Sequence, residues 1–273
     1  MNPSFSIVTV ILDPSPEDLM ATLQSVLGQD CGDWELIIKD GGSSQSSLEA
    51  IPLDPRIRII RSPDQGVFDA MNQSLEHVRG DWVCFLNAGD SFSHRSALAV
   101  ILEHARHDEC AEFIYCDVAK PTSRSGFEKY PDQLGYGYLF SNMICHQAWF
   151  LKSAYYRRTA RYETKEISGA DRRFLLRMVL VYRVQYRHVP MVLITYKGGG
   201  ISQRQVVHQR AAAWIDELVR ELYTAEEYRK LHRRYRVRTV AKRWLYDTGV
   251  WRILRLFRSI RAHRDSAVRL LLG

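Results

Sequence analysis

The sequence predicts an α/β fold in which a mostly parallel central sheet is flanked by helices and followed by a helical, basic tail. Short apolar runs rich in β-branched residues alternate with segments whose apolar residues recur at helical spacing, as in a sheet covered on both faces. Residues 201–273 contain 17 Lys and Arg but 7 Asp and Glu, whereas the whole chain carries a net charge of +7. The basic charge of the chain therefore lies in this tail.

Five apolar runs in the first half predict strands, and the segments between them predict helices. The predicted strands are 5–12, 34–40, 57–61, 82–86 and 113–118, and the predicted helices are 17–29, 67–78 and 93–106, the last with Ser93 as its N-cap. In open α/β sheets, ligands bind beyond the carboxyl ends of the strands. This rule selects 12–13, 40–42, 62–64 and 87–90 as candidate binding segments.

The second half is less regular. Residues 122–139 are rich in Gly, Tyr, Ser and Pro and predict a substrate-facing loop or a linker. Segment 167–182 contains a predicted helix, 191–195 a short strand and 198–200 a glycine loop. In the tail, residues 250–262 place apolar side chains on one helical face and arginines around the rest, which is typical of a helix lying on a membrane.

Composition limits the class of protein. The chain has 273 residues, of which 46% are hydrophobic and 25% are charged, values typical of a globular protein with a sizeable core. Five cysteines without CxxC spacing favour buried thiols over a disulfide framework or a zinc site. The sequence shows neither a signal peptide nor a run of about 18 apolar residues. We expect a cytoplasmic protein, peripheral on the cytoplasmic face of the membrane.

Six motifs follow one another in the first two hundred residues. They are IIKDGGSS at 37–44, SPDQGVFDAMNQSL at 62–75, GDWVCFLNAGD at 80–90, HQAWF at 146–150, SGADRRFLLR at 168–177 and GGIS at 199–202. In order and spacing the chain resembles family 2 glycosyltransferases with the GT-A nucleotide-diphospho-sugar transferase fold, in the subgroup that builds bacterial surface polysaccharides. The resemblance implies a GT-A domain over residues 1–203 and a membrane-associating tail over 204–273.

The resemblance implies a donor site at the strand ends. Asp90 matches the aspartate that holds Mn²⁺ or Mg²⁺, an ion that would neutralise the leaving diphosphate, although Asn87 and Gly89 stand where the family commonly has aspartates. Asp40 matches the residue that reads the nucleobase and favours a UDP-linked sugar. The donor-binding residues implied are Val10, Ile11, Asp40, Asp64, Gly66, Asp69, Asn72, Asn87, Ala88 and Gly89.

The later motifs imply the acceptor side. Asp171 matches the catalytic base of an inverting transfer, which takes the proton of the acceptor hydroxyl as that hydroxyl attacks the sugar. His146 and Gln147 match a pair that contacts a sugar, and Arg172 is a candidate to bind an anionic acceptor. The acceptor implied is a saccharide or a lipid-linked molecule.

Other functions remain open at this point. A nucleotidyltransferase needs a glycine-rich phosphate loop after the first strand and a dehydrogenase needs GxGxxG there, and residues 12–15 provide neither. A non-catalytic nucleotide-sugar-binding or scaffold protein on the same fold is the alternative, since the metal motif is reduced to one aspartate. The tail fits an anionic membrane surface better than nucleic acid, or it packs as ordinary helices. The sequence indicates neither the sugar, the linkage nor the oligomeric state.

Overall fold

We describe the fold from a computed structural model of the chain. It describes residues 3–44, 48–49, 51–120, 125–159, 161–165, 168–198 and 205–234, with only the backbone of 205–212. The chain divides into two compact units, Met1–Leu218 and Val219–Gly273.

The first unit is built on a single sheet that contains nine strands in the described residues. The strands are β1 (Phe5–Ile11), β2 (Trp34–Asp40), β3 (Ile57–Arg61), β4 (Trp82–Phe85), β5 (Ser91–Phe92), β6 (Phe113–Ala119), β7 (Phe127–Glu128), β8 (Trp149–Lys152) and β9 (Tyr186–Thr195). Their order is β3-β2-β1-β4-β8-β6-β9-β5, and β7 pairs with β6. The first four strands of this order are parallel, so their carboxyl ends lie at one edge.

The second half of the sheet mixes directions. Strand β8 runs antiparallel to both β4 and β6, β9 runs parallel to β6, and β5 runs antiparallel to β9. Ser91 in β5 pairs with Thr195 in β9, so two segments that are far apart in the sequence lie side by side. This pairing brings the end of β9 to the strand-end segment 87–90.

Four helices lie where the sequence predicts them, with shifted ends, and three others were not predicted with these bounds. The helices are α1 (Pro16–Leu27), α2 (Val67–Ser74), α3 (Ala97–His107), α4 (Tyr136–Leu139), α5 (Ser153–Arg158), α6 (Ala170–Leu176) and α7 (Gln205–Leu222), with 3-10 turns at Leu75–His77 and His146–Ala148 and a π-helical turn at Arg177–Val181. The three that were not predicted are α4, α5 and α7, and α4 lies in the segment predicted as a loop or linker. Helix α1 buries Leu19, Leu23 and Val26, a stripe at helical spacing. Every residue of β2 is buried, as expected of a central parallel strand.

The predicted N-cap of the third helix was wrong. Helix α3 begins at Ala97, with Ser96 at the N-cap position, four residues later than predicted. Ser93 instead donates its backbone N–H to Leu193 and pairs its hydroxyl with the Thr195 hydroxyl at 2.9 Å. The pairing of β5 with β9 holds this segment in the sheet, and a long-range contact of this kind overrides local helix signals.

The described part of the second unit is helical. It comprises the last turn of α7 and a helical segment at 225–234. The segment begins with a capping box, in which Thr224 Oγ1 accepts from the Glu227 N–H and the Glu227 carboxylate accepts from the Thr224 N–H at 2.9 Å. Within the described residues, no helix combines the length and apolar character that crossing a bilayer requires. The predicted membrane helix at 250–262 lies outside the described residues.

Candidate active site

The loops after β1 and β2 are tied to each other at the sheet edge. Asp13 has a φ of 44°, a left-handed conformation that is uncommon for a residue other than glycine. Its N–H donates to Ser43 Oγ at 2.8 Å and its carboxylate accepts from the Ser44 N–H at 2.9 Å. Leu12 is left 67% exposed beside this turn. The backbone of Val10 and Ile11 leads into this edge, where the resemblance implies a nucleobase contact.

Asp40 is an ionised carboxylate enclosed by its own loop. Its Oδ1 accepts from the N–H groups of Gly42 at 3.1 Å and Ser43 at 2.8 Å, and its Oδ2 lies 3.2 Å from Arg61 Nε. Burial alone would raise the pKa of Asp40, but these hydrogen bonds and the Arg61 charge lower it below its usual range. The side chain is 0% exposed. Base reading by Asp40 stays a prediction.

A buried lysine that the sequence reading missed supports the next loop. Lys39 Nζ donates to the Ser62 carbonyl at 2.7 Å and to Asp64 Oδ2 at 3.0 Å, and Asp64 Oδ1 accepts from the Gly66 N–H at 3.0 Å. A Cβ at Gly41 would lie 2.6 Å from Asp64 Oδ2, so a side chain there would displace the Asp64 carboxylate. The signal was available, because a lysine within the apolar run of β2 needs a buried partner.

The polar residues of α2 are occupied by local structure. Asp69 Oδ2 accepts from the Gln65 N–H at 2.9 Å, which satisfies a donor at the helix N-terminus. The Asn72 amide holds the backbone of Tyr162, donating to its carbonyl at 2.8 Å and accepting from its N–H at 2.9 Å. Donor binding by Asp69 and Asn72 stays a prediction. In the structure, Asn72 links α2 to the segment before α6.

Asp90 lies at the centre of the predicted metal site and is 4% exposed. Its Oδ1 accepts from the Lys197 N–H at 2.9 Å, and its carboxylate also receives a hydrogen bond from the Gln147 side chain. Burial raises the pKa of Asp90 to about 7, and the nearby Asp18 carboxylate adds to the rise, while Lys197 and Gln147 oppose it. Loss of solvent thus dominates the pKa of this carboxylate, and the neighbouring groups modify it.

The geometry at Gly89 in this structure disfavours a side chain at the position where the resemblance implies an aspartate. Gly89 has a φ of 94°, and a Cβ there would lie 3.0 Å from Lys197 Cδ and 3.3 Å from Asp18 Cγ. The Gly89 N–H donates to the Asp18 carbonyl and to Thr22 Oγ1, both at 3.0 Å. Any side chain at position 89 would be strained and crowded. The adjacent residues Asn87 and Ala88 are half-buried at the same turn.

His146 and Gln147 connect the two sides of the site. Gln147 hydrogen-bonds Asp90, and His146 Nε2 lies 2.7 Å from the Tyr162 hydroxyl. Burial lowers the pKa of His146 to about 3, so the ring is neutral and stacks on Phe85 at a centroid distance of 5.5 Å. His146 and Gln147 therefore link Asp90 to an aromatic cluster that includes Phe174 of α6. Its members are Phe85, Tyr156, Tyr162 and Phe174.

Asp171 lies in the first turn of α6 against that aromatic cluster. Burial raises the pKa of Asp171 to about 6, while the Arg172 N–H, which donates to Oδ1 at 2.8 Å, and the Arg172 charge oppose the rise. Asp171 is close enough to Tyr162 for its charge to raise the pKa of the tyrosine further. Arg172 also donates to the Phe140 carbonyl at 2.8 Å. A carboxylate with this pKa is suited to accept a proton near neutral pH.

The residues around Asp90 suit a metal ion that shares its coordination with a bound ligand better than one held by protein side chains alone. Among the residues that the structure describes, no three His, Cys, Asp or Glu side chains are grouped to hold a metal ion. Mg²⁺ and Mn²⁺ need fewer protein ligands, since one or two carboxylates with substrate phosphates and water suffice. A metal ion at this edge would need a bound diphosphate to complete its coordination, and Asp90 is the candidate to be its side-chain ligand.

A mostly parallel sheet with carboxylates at the ends of its parallel strands is the arrangement expected of the GT-A fold. The profile described as glycosyl transferase family 2 matches residues 6–178, and the chain belongs to this family. A relative, the "PGL/p-HBAD biosynthesis glycosyltransferase" of Mycobacterium bovis, is 33% identical over 208 residues, covering 73% of this chain and 79% of the relative. The predicted family is thus confirmed.

Solved structures agree on the fold. The mannosyltransferase PcManGT from Pyrobaculum calidifontis, in complex with GDP-Man and Mn²⁺, has a TM-score of 0.62 at 15% identity, covering 85% of this chain and 69% of that one. TarS from S. aureus in complex with UDP-GlcNAc has a TM-score of 0.61 at 13% identity, covering 80% and 71%. This chain spans 60% of the TarS chain solved in complex with UDP. The predicted GT-A fold is confirmed.

Proposed function

We propose that this family 2 glycosyltransferase transfers a sugar from a UDP-linked donor to an acceptor hydroxyl with inversion, in the synthesis of a surface polysaccharide or glycolipid. The observation that carries the proposal is Asp171, a half-buried carboxylate whose pKa is raised by burial to about 6. At neutral pH such a group is ionised, yet it is a stronger base than an ordinary aspartate. That is the property required of the base in a single displacement.

The reaction then has a simple balance. The acceptor oxygen forms a bond to C1 of the sugar as the bond from C1 to the β-phosphate oxygen breaks, and the diphosphate leaves with the electron pair. The acceptor proton passes to Asp171, which lies on the side of the sugar opposite the diphosphate. Attack from that side inverts the anomeric centre.

The strand ends supply the donor site in this proposal. Asp90 would hold Mn²⁺ or Mg²⁺ together with the diphosphate, and the ion would neutralise charge on the leaving group. The backbone of Val10 and Ile11 and the Asp40 loop would receive the base. Relatives of the fold were solved with either UDP or GDP sugars, so UDP rests on the resemblance of Asp40. Asp64, Gly66 and the segment 87–89 would line the same edge.

The acceptor side follows from the position of the base. His146 and Gln147 link Asp90 to the aromatic cluster beside Asp171, and the transferred sugar would lie next to them. Arg172 flanks Asp171 and would contact an anionic acceptor. The basic tail at 204–273 would bring the enzyme to an anionic membrane surface, where a lipid-linked acceptor is found. We do not assign a nucleic-acid partner.

The test is the release of UDP from a panel of UDP-sugars in the presence of a membrane extract as acceptor source, with Mn²⁺ or with EDTA. We expect Asp171→Asn to abolish transfer and to leave UDP binding within about twofold, since the residue contacts the acceptor and not the nucleotide. Asp90→Ala should instead remove the binding that depends on metal. Full transfer activity in the Asp171 variant would refute the base. Nucleotide binding without release from any sugar would favour the non-catalytic alternative.

A further inference from the structure

Lys197 is a cation at the donor site that none of the predicted roles includes. It lies two residues after the end of β9, and its N–H donates to Asp90 Oδ1 at 2.9 Å. Its ammonium group forms an ion pair with Asp18, a residue of α1. The side chain remains 57% exposed. A positive charge accessible to solvent thus lies beside the carboxylate proposed to hold the metal.

The stem of Lys197 takes the space that a side chain at position 89 would need. A Cβ at Gly89 would lie 3.0 Å from Lys197 Cδ. The resemblance implies that many relatives have an aspartate at position 89. This chain has glycine there, and the stem of Lys197 passes through the space that a side chain would take. The space next to the Asp90 turn is therefore filled by the stem of a basic side chain and not by an acidic side chain at position 89. A site of this kind attracts a diphosphate more strongly and a metal ion less strongly.

We propose that Lys197 is a donor-binding residue whose ammonium group contacts the diphosphate of the nucleotide sugar beside Asp90. The inference rests on the proposed function, because it takes the donor diphosphate to lie at this strand end. Asp18 is the partner of the ammonium group when the donor is absent. On binding, the phosphate oxygens replace the Asp18 carboxylate, and the lysine charge remains next to the leaving group as the sugar–phosphate bond breaks.

A structural role for the ion pair makes a different prediction. If Lys197 and Asp18 only fasten α1 to the end of β9, removing either partner should harm the site to a similar degree. If the ammonium group binds phosphate, the two changes have opposite signs. Losing Lys197 removes an attraction for the diphosphate, whereas losing the Asp18 charge removes a competitor for the lysine and a repulsion for the phosphate.

The experiment measures binding of UDP and of uridine by calorimetry to the full chain, with EDTA and with Mn²⁺. The variants are Lys197→Met, which keeps the aliphatic stem, Lys197→Arg, which keeps the charge, and Asp18→Asn. Lys152→Met is the matched control, because Lys152 pairs with Trp82 at the amino end of β4, away from the strand ends that form the site.

We expect Lys197→Met to weaken UDP binding in EDTA by roughly tenfold, the value of a charge-assisted contact, and to leave uridine binding unchanged. Lys197→Arg should retain most of the UDP affinity, Asp18→Asn should match or exceed the unmodified chain, and Lys152→Met should match it. Unchanged UDP binding in Lys197→Met would overturn the proposal, as would an equal loss in Asp18→Asn. If the unmodified chain bound no UDP even with Mn²⁺, the proposed UDP site would fail as well.

Discussion

Replacing Asp171 by Asn should stabilise the protein while it abolishes transfer. Burial raises the pKa of Asp171 from its usual 3.8 to about 6 in the folded protein. Above the folded pKa the buried carboxylate is charged and destabilises the fold, and below the unfolded pKa it is protonated in both states and contributes nothing. The pKa difference of about two corresponds to roughly 3 kcal/mol of unfolding free energy, which is lost as the pH rises through the window between the two pKa values.

Asn is a close steric match that remains uncharged, and its Oδ1 can still accept from the Arg172 N–H. We therefore expect Asp171→Asn to be more stable than the unmodified chain by up to about 3 kcal/mol at about pH 8, with the gain shrinking toward zero near pH 4. Loss of the attraction to the Arg172 guanidinium will reduce the gain. The assay is urea denaturation followed by tryptophan fluorescence across this pH range.

Asp54 supplies a matched control of opposite sign. Hydrogen bonds from Arg56 lower the pKa of Asp54 to about 2, so its ionised form stabilises the fold above the unfolded pKa, and this stability is lost as the pH falls toward 2. Asp54→Asn should therefore destabilise the protein near neutral pH. A destabilised Asp171→Asn, or a gain equal at both ends of the pH range, would refute the argument that burial of the charge sets the pKa of the base.

Three further predictions concern the surroundings of the site. Gly89→Ala should lower the free energy of unfolding by about 1–2 kcal/mol in urea denaturation, because position 89 needs a positive φ and faces the Lys197 stem; equal stability would contradict the crowding. Lys39→Met should cost about 3 kcal/mol in the same assay, since it leaves Asp64 without its buried partner, and a stable variant would show that Asp64 finds another. Removing residues 240–273 should release the protein from anionic liposomes in a sedimentation assay yet spare activity on a soluble acceptor, and continued sedimentation would locate membrane binding elsewhere.

The central strands could be predicted because the pattern of apolar residues that forms them is local. The family could be predicted because each of its motifs is a short stretch of sequence. Strand β2 was predicted with the bounds that it has, since a short run with apolar residues at its centre, ended by Gly41 and Gly42, is typical of a strand in a buried parallel sheet. The start of α2 at Val67 was also predicted, because Gly66 precedes a stripe of apolar residues at helical spacing. The order of the motifs also placed Asp90 after a strand and Asp171 at the start of a helix, and the structure contains this strand, β4, and this helix, α6.

What the sequence by itself determined about this protein is therefore the type of fold, the order of its elements and the identity of the candidate carboxylates. The tertiary structure alone decided the state of those carboxylates. Lys197 contacts Asp90 across 107 residues of sequence, Gln147 reaches the same carboxylate, and Asp171 lies close enough to Tyr162 for the two groups to interact electrostatically. The pKa of a group depends on which charges and apolar surfaces surround it, and sheet pairing brings together neighbours that no local pattern in the sequence encodes.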